Sequence, residues 1–123
     1  MLEPNCTILY VDSPLASAAF YANILGREAL EAAPTFAMFV LQNGSTLGLW
    51  SKHTVEPAAT ATGGGTELGF TLDSVAAVDA LHARWQQQGL PMLQAPTTMD
   101  FGYTFVALDP DGHRLRVFVL QEG

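Results

Sequence analysis

A motif written twice limits the folds open to this chain. Cys6 to Gly26 reads C-T-I-L-Y-V-D-S-P-L-A-S-A-A-F-Y-A-N-I-L-G, and Glu67 to Gly89 reads E-L-G-F-T-L-D-S-V-A-A-V-D-A-L-H-A-R-W-Q-Q-Q-G. With Cys6 set on Glu67, Asp12-Ser13 falls on Asp73-Ser74. Each copy is an apolar run with strand chemistry, then Asp-Ser, then a helical pattern closed by glycine. A repeat of about half the chain points to two similar modules.

Local chemistry fills in both copies. Thr7 to Val11 reads as a buried strand, Ser13 as a helix cap, and Pro14 as a first-turn residue whose missing N–H costs nothing there. Leu15, Ala18, Ala19, Phe20 (or Tyr21), Ile24 and Leu25 recur at helical spacing, and Gly26 supplies the stop. Glu28 to Ala32, Phe36 to Leu41 and Thr46 to Trp50 read as three short strands with turns between them. The second copy repeats the order. A strand over Thr66 to Leu72 leads to a Ser74-capped helix with Val75, Val78, Leu81 and Trp85 facing inward. Strands follow at Met92 to Ala95, Tyr103 to Leu108 and Arg114 to Leu120. Asp109-Pro110-Asp111-Gly112 forms the last turn, proline fixing one corner and Asp-Gly accepting positive φ. The expected fold is α+β: two βαβββ modules, residues 1–51 and 66–123, joined by an Ala/Thr/Pro/Gly-rich linker at 52–65 that is read as mobile.

Composition removes several function classes. Nearly half the 123 residues are apolar (49%) and 14% are charged, which excludes disorder and gives one domain with a real core. Five Lys plus Arg against twelve Asp plus Glu leave a net charge of −7, a surface that repels phosphate backbones, so no nucleic acid is expected as partner. There is no apolar run of about 18 residues and no basic leader followed by an apolar stretch, so no membrane association is expected and the location is read as cytoplasmic. The single cysteine, Cys6, agrees with a reducing compartment. Gly63-Gly64-Gly65 has no Lys-Ser/Thr after it and is linker, not a phosphate loop.

The paired βαβββ pattern, with V-D-S-P-x-x-S-x-x-F-Y-x-x-x-L-G in the first module and F-x-x-x-D-P-D-G-H in the second, resembles the vicinal oxygen chelate superfamily. That group holds glyoxalase I, extradiol dioxygenases, fosfomycin-resistance enzymes and bleomycin-binding proteins. The resemblance spans essentially the whole chain. It implies curved mixed sheets around a cavity, usually completed by a second chain, hence a homodimer. It does not fix the chemistry, because one scaffold carries many.

In the metal-dependent members of that group, ligands are two histidines and one or two glutamates on the first, fourth, fifth and eighth strands. The matching positions here are Cys6, a residue within Leu47 to Trp50, Glu67 and Arg116. Arginine stays protonated and offers no lone pair, so no metal and no other cofactor is expected, and no residue is assigned a catalytic role. Glu67 and Arg116 are expected to pair where a cation sits in relatives, as a structural ion pair, a ligand anchor, or both. Cys6 is read as a small buried hydrophobe at the cavity, not a nucleophile. His53, His82 and His113 have no ligand spacing and are read as surface or structural.

Within the superfamily, L-x-L-W-S at Leu47 to Ser51, E-L-G-F from Glu67 and D-F-G-Y-T-F…D-P-D-G-H-R-L-R-V from Asp100 to Val117 resemble phenazine-antibiotic resistance proteins. These bind a planar tricyclic drug without metal chemistry. The resemblance implies sequestration of a small aromatic ligand, with Trp50 stacking on it, Glu67 and Arg116 orienting its polar groups, and Tyr103 closing the mouth. Cys6, Phe39, Phe101, Thr104 and Val106 complete the expected ligand-binding set. Thr104, Val106 and Leu108 are expected to face the cavity, which turns Phe105 away from it. Phe20, Phe70, Phe105 and Trp85 are read as core. The alternative is a metal-dependent lyase or dioxygenase of the same superfamily.

Overall fold

The structure, a computed structural model, describes residues 1–121. Positions 122 and 123 of the expected second module lie outside the described residues. The chain divides into two compact units, Met1–Thr62 and a second beginning at Gly63. Each carries one helix and one four-stranded mixed sheet, and neither sheet closes on itself.

The first unit runs β1 (Cys6–Val11), α1 (Pro14–Leu25), β2 (Glu31–Ala32), β3 (Phe36–Val40) and β4 (Thr46–Ser51). The sheet order is β1-β4-β3-β2, with β1 parallel to β4 and the other pairs antiparallel. Ser13 caps α1 by accepting from the Ala16 N–H at 3.2 Å. Gly26 ends it in the left-handed conformation (φ 67°) that a Cβ disfavours. The buried face of α1 is Pro14, Ser17, Ala18 and Tyr21, one step round from the expected Leu15, Ala19 and Phe20. Leu15 and Ala19 are exposed. The segment is apolar nearly all round, so spacing alone does not select the face. The strand expected over Glu28 to Ala32 shrinks to two residues, although the Leu30 N–H still reaches the Met38 carbonyl at 2.8 Å. No helix or strand occupies 52–65, yet Val55 is buried in what composition marks as mobile linker.

The second unit repeats this as β5 (Glu67–Thr71), α2 (Val75–Gln87), β6 (Met92–Met99), β7 (Gly102–Leu108) and β8 (Arg114–Leu120), in the order β5-β8-β7-β6. Ser74 caps α2, accepting from Ala77 N–H at 3.0 Å. At the other end Leu90 N–H bonds Trp85 C=O and Gly89 N–H bonds Gln86 C=O, a paired closure that Gly89 permits with φ 86°. Val78 and Trp85 are the buried residues of α2; Val75, expected inside, is exposed in the first turn. β6 runs on through Pro96 to Met99, past the expected end at Ala95. It is an edge strand whose register slips between Gln94 and Thr97, and an edge with a bulge tolerates proline. The Asp109 carboxylate accepts from the N–H groups of Asp111 (2.9 Å) and His113 (2.8 Å), which sets the turn into β8.

Candidate functional site

Strand alternation sorts each sheet into a helix-covered face and an open one. In the first unit Val11, Ala37, Phe39 and Leu49 lie on the covered face with no solvent exposure. Phe39, expected to line the ligand cavity, is therefore core: it pairs with Leu47 in the register, on the opposite face to Trp50. The open face carries Ile8, Tyr10, Phe36, Met38, Gly48 and Trp50. The Phe36 ring stands edge-on to Trp50 with centroids 5.9 Å apart. A Cβ on Gly48 would sit 3.1 Å from Phe36 Cζ and 3.4 Å from Ile8 Cγ1, so glycine is what lets the ring lie over the sheet. Cys6 is on this face too, but exposed, not the buried hydrophobe expected; it begins an edge strand. Phe36 and Gly48 were absent from the expected set, although their even spacing from Trp50 across a hairpin signals a shared face.

In the second unit Glu67 and Arg116 make a bidentate pair, Nε to Oε1 at 2.7 Å and Nη2 to Oε2 at 3.0 Å. Adjacency of β5 and β8 brings them together; Arg116 stands beside Gly69, so its long side chain reaches back to Glu67 over a position with no side chain. Arg116 Nη1 donates to Gln94 Oε1 (3.2 Å) and Thr104 Oγ1 (3.3 Å), and the fully buried Thr104 hydroxyl donates to Val117 C=O at 2.8 Å. The hydrogen bond from Arg116 holds the Glu67 carboxyl below its ordinary range; partial burial opposes this, and the charges of Arg116 and Arg114 add to it. Leu93, Gln94, Val106, Arg114 and Arg116 line an open hollow of about 290 Å³.

Thr104 and Val106 thus share the face of Arg116, and Phe105 points to α2, where its ring meets Trp85 edge-on at 5.7 Å. Phe101, in the turn before β7, is half exposed and lies edge-on to Phe118, which has the parity of Arg116. Tyr103 does not close a mouth. Its hydroxyl donates to Asp79 Oδ1 on α2 at 2.6 Å, on the helix side, and that bond to a carboxylate raises its pKa. Tyr103→Phe is therefore expected to leave the affinity for an aromatic ligand unchanged within twofold, measured by the titration described below. Of the histidines, His53 Nε2 contacts Asp12 Oδ1 at 2.8 Å, His82 lies edge-on to Phe105, and His113 is buried beside the last turn.

These residues do not suit the metal of the chelating relatives. Both Glu67 oxygens are held by one guanidinium, and a second, that of Arg114, comes within 4.0 Å of Oε2. A divalent ion there would meet two fixed positive charges and a spent carboxylate. Among the described residues no three His, Cys, Asp or Glu side chains cluster in a way that would hold an ion.

The arrangement is that of a known class. The chain belongs to the Glyoxalase/Bleomycin resistance protein/Dioxygenase superfamily, whose sequence profile matches residues 4–117. Among particular relatives, it is 31% identical over 119 residues to the phenazine antibiotic resistance protein EhpR of Enterobacter agglomerans, covering 94% of this chain and 91% of that one. A protein of Agrobacterium tumefaciens solved in solution is 55% identical, with TM-score 0.91 over 98% of this chain and 99% of the other. A glyoxalase/bleomycin resistance protein/dioxygenase from Nocardioides shares the fold at 23% identity, TM-score 0.84, over 100% of this chain and 86% of its own.

Proposed function

We propose that this protein is a metal-independent binding protein that sequesters a planar aromatic small molecule, of the phenazine antibiotic type, and acts as a cytoplasmic homodimer. The observation that carries this reading is the engagement of both Glu67 oxygens by Arg116 at a position where chelating relatives hold a metal. A guanidinium fork binds and orients polar groups; it does not polarise them as a metal does. Resistance by sequestration requires affinity alone, so the absence of an assigned nucleophile or base is consistent with it. The open face bearing Trp50 and Phe36 supplies a flat aromatic surface suited to stacking. The relationship to a phenazine antibiotic resistance protein supports the choice of ligand class.

The test is a calorimetric titration with phenazine-1-carboxylic acid. Saturable micromolar binding is expected, weakened about tenfold in Trp50→Ala, the loss of roughly 1–1.5 kcal/mol of stacking. Equal affinity in wild type and Trp50→Ala would remove Trp50 from the site, and no saturation would remove phenazines.

A further inference from the structure

We propose that Arg114 recognises a carboxylate, so that the planar ligand inferred above carries a single negative charge. This rests on that reading and names the chemistry it lacks. Arg114 has five N–H donors and, among the described residues, its Nε is shut off from water with no acceptor. Its neighbour in the register, Glu67, has both oxygens taken by Arg116. The contact left to Arg114 is Nη1 to Glu67 Oε2 at 4.0 Å, too long for a hydrogen bond. The side chain is nonetheless 40% exposed and borders the hollow of about 290 Å³ that Leu93, Gln94, Val106 and Arg116 also line. A guanidinium with unused donors at the wall of a hollow is half of a fork-to-fork pair.

Charge sets the class of anion. Two guanidinium groups and one carboxylate leave this spot one unit positive, within a chain of net charge −7 that repels anions in general. One carboxylate neutralises it; a phosphate dianion would overshoot and face Glu67. Leu93 and Val106 beside the arginines offer apolar wall to a ring system attached to that carboxylate.

The experiment compares phenazine-1-carboxylic acid with its methyl ester by calorimetry at pH 7, on wild type and Arg114→Gln. Wild type is expected to bind the acid about tenfold more tightly than the ester, the worth of one hydrogen-bonded charge. In Arg114→Gln the two should bind alike, at the affinity of wild type for the ester, which also reports that the variant is folded. Equal binding of acid and ester by wild type, or a gap that survives in Arg114→Gln, overturns the assignment. Should that variant bind neither compound, Arg114→Lys decides: a gap as wide as wild type's overturns it, a narrowed one supports it. Failure of wild type to bind either compound brings down the planar-ligand reading itself, and this inference with it.

Discussion

Trp85→Ala is expected to lose about 3–5 kcal/mol of stability, the range for emptying a large aromatic site in a packed core. Trp85 is 2% exposed and stands edge-on to Phe70 and Phe105, with both centroid distances 5.7 Å. These three rings hold α2 against the back of the sheet whose front carries Arg116. Because whole domains are stable by only about 5–15 kcal/mol, such a loss removes much of what holds the second unit together. Urea unfolding followed by circular dichroism measures it: the midpoint should fall with the slope unchanged. A loss under about 1 kcal/mol would mean that α2 does not pack as described.

Breaking the Glu67–Arg116 pair from one side is the second large effect. Arg116→Met strands a carboxylate beside a hydrophobic replacement, and Glu67→Gln leaves a part-buried guanidinium with a neutral partner. Each single change is expected to cost about 2 kcal/mol, below the figure for a fully buried pair because both side chains retain some solvent. The double variant should cost less than the sum of the two, a coupling of about 1–2 kcal/mol. Additive losses would show that the two hydrogen bonds carry no mutual stabilisation. The pH dependence has a definite sign. The folded pKa of Glu67 lies below its ordinary 4.5, so the stabilisation is fully present above that value and is lost as pH falls through the depressed folded value. The stability gap between wild type and Glu67→Gln should therefore hold constant from pH 7 to about 5 and close in more acidic solution.

What the sequence made legible follows from how local each signal is. The repeat, the two serine caps, the glycine stops and the Asp-Pro-Asp-Gly turn are decided within a few residues, and the structure has all of them. The face of α1 was not legible, because Leu15 and Ala19 are as apolar as the residues that are buried. Strand faces depend on parity, and parity needs one anchored residue. Thr104 and Val106 had such an anchor in Arg116 across the β7–β8 ladder. Tyr103 shares parity with Phe105, so alternation already sends it to the helix side, against its expected place at a mouth. Phe39 required the register of a hairpin, Phe36 against Trp50, that turn residues alone do not give. Arg114 was passed over because attention fell on the position matching a metal ligand, yet it lies two residues from Arg116 and must share its face.

The central claim is binding without a metal, and one measurement bears on it most directly. Protein freed of metal by EDTA and dialysis is titrated with phenazine-1-carboxylic acid while tryptophan fluorescence is followed, with Trp50→Phe in parallel. Trp85, buried among Phe70 and Phe105, serves as the internal reference for optical absorption by the ligand. The account predicts saturable quenching that is the same before and after chelation, is reduced in Trp50→Phe, and leaves the phenazine chemically unchanged on recovery. Quenching abolished by EDTA and restored by a stoichiometric divalent metal, or a ligand recovered as a new product, would contradict it.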